Sequence, residues 1–168
     1  MSALLLAGCG PDVNAVAAST GRSALNQSIV GKQEATARRL VMFGAEVNFE
    51  DRADKTGPLI AAVRAGYGDL VRDLLIAGAD PNAHQGQDGG TPLHAAAEWG
   101  LASTVSVLLS SPKTYKNALN NDGRSLLTMA SYLGHVAALK MLLAAGADVH
   151  VSGASEERAR RQPLPSMV

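Results

Sequence analysis

The sequence predicts an all-α chain, a solenoid of stacked antiparallel helix pairs with β-turn fingers, and three observations predict it. Leu25, Leu59, Leu93 and Leu127 lie 34 residues apart. Gly10, Gly44, Gly78, Pro112 and Gly146 keep the same step. The third observation is the stretch from Asp88 to Gly100, D-G-G-T-P-L-H-A-A-A-E-W-G, which carries a start and a stop for one short helix. A fixed period of this size marks repeated helical units that bury their apolar faces only against one another.

The Asp88–Gly100 stretch explains how one unit works. Thr91 can cap a helix by accepting a backbone N–H from two or three residues on. Pro92 falls at the first helical position, where its missing N–H costs nothing. Asp88-Gly89-Gly90 supplies turn chemistry. Ala95, Ala96 and Ala97 are small enough for close helix approach, and Gly100 ends the helix as a residue that tolerates the left-handed conformation.

The unit resembles an ankyrin repeat, for which T-P-L-H-x-A is the named pattern. Thr91-Pro92-Leu93-His94 matches it in full. The second hallmark, L-L-x-x-G-A-D-x-N, runs from Leu74 to Asn82, recurs from Leu142 to His150 with His in place of Asn, and recurs more loosely from Leu40 to Asn48. The usual repeat has about 33 residues; the step of 34 places one extra residue before each helix start and predicts longer fingers. The resemblance covers nearly the whole chain. It gives an ankyrin repeat domain over 1–152, with a half-repeat at 1–20 and repeats at about 21–53, 54–87, 88–121 and 122–152. A charged, Pro-containing tail, with one helical turn expected from Ser155, fills 153–168.

Taken in order, the repeats depart from the pattern in different places. In the half-repeat, Leu4, Leu5 and Leu6 form the apolar face of a short helix. Repeat one starts on Ser23-Ala24-Leu25-Asn26, so Ser replaces Thr and Pro is lost. Lys32 stands where the helix-ending Gly belongs, which predicts a weaker or more irregular first helix. Repeat two starts on Gly57-Pro58-Leu59-Ile60, which removes the cap side chain and the His. Its second helix, read from Asp69 to Ala77, carries Leu70, Val71, Leu74 and Leu75 as a core stripe. Repeat three closes on Ser110-Ser111-Pro112, and Pro112 is expected to end the helix and reshape the finger. Repeat four, from Asp122-Gly123-Arg124-Ser125 through His150, is regular.

Composition narrows the function classes. With 168 residues, 46% hydrophobic and 4% aromatic, the chain can bury a core of small side chains. Fifteen basic and fifteen acidic residues cancel, which leaves no electrostatic footprint for nucleic acid or an anionic membrane. One cysteine excludes an intrachain disulfide and fits a reducing, cytoplasmic setting. No apolar run approaches the roughly 20 residues of a membrane span.

Family resemblance implies non-enzymatic protein–protein binding, by an adaptor or inhibitor that is monomeric by itself. Stacking puts equivalent positions in rows, and fingers and first helices then line a concave face. Counted from the leucine of the helix start, the resemblance exposes the fifth and sixth residues: Val30 and Gly31, Arg64 and Ala65, Glu98 and Trp99, Tyr132 and Leu133. The second residue on gives Gln27, Ala61, Ala95 and Met129. Fingers add Glu50, Asp51, Arg52, His84, Gln85, Gln87, Asn117, Leu119 and Asn120. The expected partner-binding residues are Trp99, Tyr132, Met129, Arg64, Glu98, Leu133, Arg52 and His84, because Trp, Tyr and Arg are the usual anchors. The bland alternative is that Trp99 merely lids the stack.

Other signals are weaker. His84, His94, His135 and His150 form no pair with metal-ligand spacing, so no metal site is expected. His94 and His135 occupy places that the family also fills with His, for hydrogen bonds. No catalytic or cofactor motif appears. Leu6-Ala7-Gly8-Cys9 is similar to a bacterial lipobox, whose alternative is an envelope lipoprotein acylated at Cys9, though the basic segment of a signal peptide is missing. A further alternative is a regulatory fragment of a larger ankyrin-containing protein. Asn14, Asn48 and Asn82 resemble asparaginyl-hydroxylation sites, against the simpler reading of turn Asn residues bonding their own backbone. Ser166-Met167-Val168 resembles a PDZ-domain ligand.

Overall fold

The computed structural model describes residues 12–18, 20–51, 55–84 and 89–151. The readings made for Leu4–Leu6, Cys9, Arg52, Gln85, Gln87, Ser155 and Ser166-Met167-Val168 lie outside those residues.

Eight helices form among the described residues: α1 (Ala24–Val30), α2 (Glu34–Met42), α3 (Pro58–Ala65), α4 (Gly68–Ile76), α5 (Pro92–Glu98), α6 (Ala102–Leu109), α7 (Leu126–Tyr132) and α8 (Val136–Ala144). Their first residues repeat the 34-residue step in both members of each pair. No strand forms among these residues; isolated β-bridges join Val16 to Ser23 and Leu119 to Ser125.

The chain divides into two compact units, Met1–Asp80 and Pro81–Val168. In the first, α1 packs on α2 and α3, and α4 packs on α3 and α2. The second repeats this plan: α5 lies on α6 and α7, and α8 on α7 and α6. Each unit is therefore two helix pairs in layers. Leu25 and Leu59 fill the first core with Ile29, Val63, Leu70 and Leu74, while Leu93 fills the second with Val105, Leu108, Leu126 and Leu142. All four period-marking leucines are buried, at 1%, 2%, 0% and 9% exposure in chain order. Leu75, expected in the stripe of α4, is only half-buried, and that helix starts and stops one residue before the sequence reading.

Local sequence accounts for the helix starts. The Thr91 hydroxyl accepts the His94 N–H at 3.4 Å, and His94 Nδ1 accepts the Thr91 N–H at 3.2 Å, a reciprocal box. Ser23 caps α1 through the Asn26 N–H at 3.2 Å, and Ser125 caps α7 through the Thr128 N–H at 3.3 Å. Gly57 offers no side chain, so α3 begins on Pro58 without such a bond. The first helix of repeat one has seven residues, as α5 and α7 do, and α3 has eight. Its irregularity sits at the end. Gly66, Gly100 and Gly134 carry positive φ after the other first helices, and in repeat one Lys32 takes that conformation at φ 58°.

The second helix of the third repeat ends before its proline. Ser110 closes α6, two residues ahead of Pro112, the place a proline takes after a helix end because it cannot continue one. In the other repeats, the carbonyls of Leu40, Leu74 and Leu142 accept the N–H of Ala45, Ala79 and Ala147 at 2.9–3.0 Å. The equivalent Leu108 carbonyl instead accepts the Thr114 hydroxyl at 2.6 Å and the Ser111 N–H at 3.2 Å. A side chain thus replaces the backbone donor that the Gly-Ala turn supplies elsewhere.

Finger asparagines bond the next layer, not their own turn. Asn14 Oδ1 accepts the Glu46 N–H at 2.7 Å, and Asn48 Oδ1 accepts the Asp80 N–H at 2.9 Å. In the second unit, Asn82 Oδ1 accepts the Tyr115 N–H at 2.8 Å, and Asn117 Oδ1 accepts the Asp148 N–H at 2.8 Å.

Candidate functional site

The rows counted from the helix-start leucine come out exposed at their fifth and sixth positions. Val30, Gly31, Arg64, Ala65, Glu98, Trp99, Tyr132 and Leu133 all face solvent. Within each unit the first helices pack on one another and on their own second helices, and these positions fall on the final turn or directly after it. The second-residue row is mixed: Gln27 is exposed, Ala61 and Met129 are half-buried, and Ala95 is buried.

A surface pocket of about 340 Å³ gathers part of the expected set in the second unit. Glu98, Met129, Tyr132 and Leu133 line it, together with Arg124 and Thr128. Glu98 is the last residue of α5, and Tyr132 is the last of α7. Tyr132 is 86% exposed and also borders a second pocket of about 540 Å³. Trp99 closes α5 at 60% exposure and is not among the residues lining the 340 Å³ pocket. Of the remaining candidates, Arg64 is exposed near the end of α3 in the other unit. His84 is exposed on its finger, with Nδ1 3.0 Å from the Gly89 carbonyl. Arg52 lies outside the described residues.

Two histidines hold the backbone around this pocket. His135 Nε2 donates to the Glu98 carbonyl at 2.8 Å. A side chain at Gly100 would put its Cβ 2.5 Å from His135 Nδ1, so that glycine leaves the ring its path. His94 Nε2 lies 3.4 Å from the Arg124 carbonyl, and Nδ1 lies 2.9 Å from the Thr91 hydroxyl. Because Nδ1 accepts the Thr91 N–H, the ring carries its proton on Nε2. Burial pushes the His94 pKa below its ordinary value and nearby His84 adds to this, against the pull of the Arg124 and Ala118 carbonyls. His94 is therefore a neutral structural link.

Arg124 and Thr128 did not come from the rows, which were counted forward from the leucine. Arg124 lies just ahead of the capping Ser125, and Thr128 stands in the place of His94, one after the leucine. Asp51, placed by the sequence reading on the finger surface, is corrected to a buried residue at 2% exposure. Its carboxylate pairs with Arg22 at 3.0 Å and accepts from Asn26 Nδ2 at 2.8 Å. Asn26 Nδ2 also donates to the Thr56 carbonyl at 3.1 Å, the job that His94 does at Arg124 one unit later.

Among the described residues, no group of three or more His, Cys, Asp or Glu could hold a metal ion. No helix there is long and apolar enough to cross a membrane. The chemistry on offer at the pocket is apolar contact between two opposite charges.

Comparison with curated proteins finds no match. A family model described as ankyrin repeats in three copies matches residues 1–85 and 59–152. Ankyrin repeats are, in general, non-enzymatic modules that bind other proteins. With matched segments spanning 1–152 and the helix pairs in register, the chain belongs to the ankyrin-repeat family.

Proposed function

We propose that this chain is an adaptor or inhibitor that binds a partner protein through the α5 and α7 row of its second unit. Tyr132, Met129 and Leu133 are the apolar anchors, Trp99 extends them, and Glu98 flanks them. His84, on a finger of the same unit, is a peripheral contact of smaller weight. The observation that carries this reading is the 340 Å³ pocket, where Glu98, Met129, Tyr132 and Leu133 converge beside large exposed side chains. Tyr and Trp anchors dominate binding energy when a partner desolvates them.

The test is affinity capture of a partner followed by titration with variants. Tyr132→Ala and Trp99→Ala are expected to cost about 2 kcal/mol or more each, roughly 30-fold in Kd. Both side chains are exposed, so the folded state tolerates their loss. Unchanged affinity in both variants removes this face as the binding surface.

A further inference from the structure

On the reading that the α5 and α7 row binds a protein, we infer which kind of segment its pocket takes. The occupant is a stretch of partner chain with one bulky apolar side chain, set between a basic residue on one side and an acidic residue on the other.

Two features carry this. The apolar part of the pocket comes from Met129, Tyr132 and Leu133, and its volume is about 340 Å³. That is near the lower end of the roughly 300–1,000 Å³ of ligand pockets and has room for one large side chain together with part of its flanks. Its charged walls have opposite sign: Glu98 ends α5, and Arg124 precedes the cap of α7. Among the described residues neither forms an ion pair, with the other or with a third group.

Free in water, both charges are solvated at little cost. A bound segment strips that water, and a charge left uncompensated at an interface is then penalised. Flanks of a single sign satisfy one wall and offend the other, so discrimination comes partly from repulsion. The backbone that carries each charge is tied down, through His135 on the Glu98 carbonyl and His94 near the Arg124 carbonyl. Zero formal net charge on the chain leaves little long-range attraction, so charge has to be read locally, at this pocket.

The test pans the purified full chain against a random peptide library displayed on phage, then titrates the enriched peptides by fluorescence anisotropy. Enriched sequences should share a bulky apolar residue with one basic and one acidic flank. Tyr132→Ala, Glu98→Lys and Arg124→Glu should each weaken binding by about tenfold or more. The Glu98→Lys/Arg124→Glu double variant should recover binding to a peptide whose flanking charges are exchanged. Glu98→Gln and Arg124→Gln neutralise the walls without reversing them and serve if a reversal lowers the unfolding midpoint. Peptides that need Tyr132 but ignore all charge changes overturn the bipolar pattern and leave the protein-binding face standing. Absence of enrichment, or binding indifferent to Trp99→Ala, Met129→Ala and Tyr132→Ala, overturns both.

Discussion

Several local bonds converge on His94. One ring nitrogen takes the Thr91 N–H and faces the Thr91 hydroxyl, and the other faces the Arg124 carbonyl in the next layer. Protonation would convert Nδ1 from acceptor to donor and turn it against the Thr91 N–H. The sign of the linkage follows. The folded pKa is lowered from 6.5, first by burial, so the unfolded chain takes up the proton at higher pH. Stability from this group is full above about 6.5 and declines as pH falls from there toward the folded value. Denaturant midpoints measured downward from about pH 7.5 should fall for the wild type more than for His94→Gln, which cannot titrate. Parallel curves would mean that His94 keeps its partners when charged. The motif T-P-L-H made this residue legible as structural before any coordinates. The partner of Nε2 was not legible, because it lies 30 residues away and depends on how two layers sit.

At the scale of helices, start signals were more readable than stop signals. Ser23, Thr91 and Ser125 each cap as their residue type requires, and Pro58 starts a helix without a capping side chain. Ends depend on single φ angles. The helix-ending row holds Lys32, Gly66, Gly100 and Gly134, all at positive φ. An L-residue in that conformation carries a strain of roughly 1–2 kcal/mol, partly offset because glycine loses more entropy on folding. Lys32→Gly should therefore stabilise the chain by about 0.5–1 kcal/mol, read as a higher denaturant midpoint with an unchanged slope. A loss of stability would show that the Lys32 side chain contributes more than its backbone strain takes away. The finger of repeat three was legible only as a departure. Sequence reading gave the change to Pro112, but not the Thr114 hydroxyl that takes over the Leu108 carbonyl, since that bond needs the turn to be built first.

Across the whole molecule, the 34-residue step made the layers legible and left the links between layers hidden. Burial of Leu25, Leu59, Leu93 and Leu127 follows from spacing alone. Part of the candidate site followed too, because the end of each first helix must face solvent. Arg124 and Thr128 were missed because a pocket wall is set by neighbouring layers, not by position within one. Asparagine misled for the same reason: its side chain reaches a finger about 31–33 residues on. Such links suit repeat proteins, whose stability is approximately a sum of nearest-neighbour terms. Asn82 makes two of them, donating to the Lys113 carbonyl at 2.7 Å and accepting the Tyr115 N–H at 2.8 Å. Each hydrogen bond is worth about 0.5–1.5 kcal/mol net, and these are exposed, so Asn82→Ala should cost about 1–2 kcal/mol. For a chain of this length that corresponds to a Tm lower by about 2–4 °C for each kcal/mol. The loss is local, so amide exchange at Tyr115 should accelerate, while exchange at Asp148, bonded to Asn117 instead, keeps its rate. If Tyr115 stays as protected in Asn82→Ala as in the wild type, the finger ladder does not hold one layer to the next.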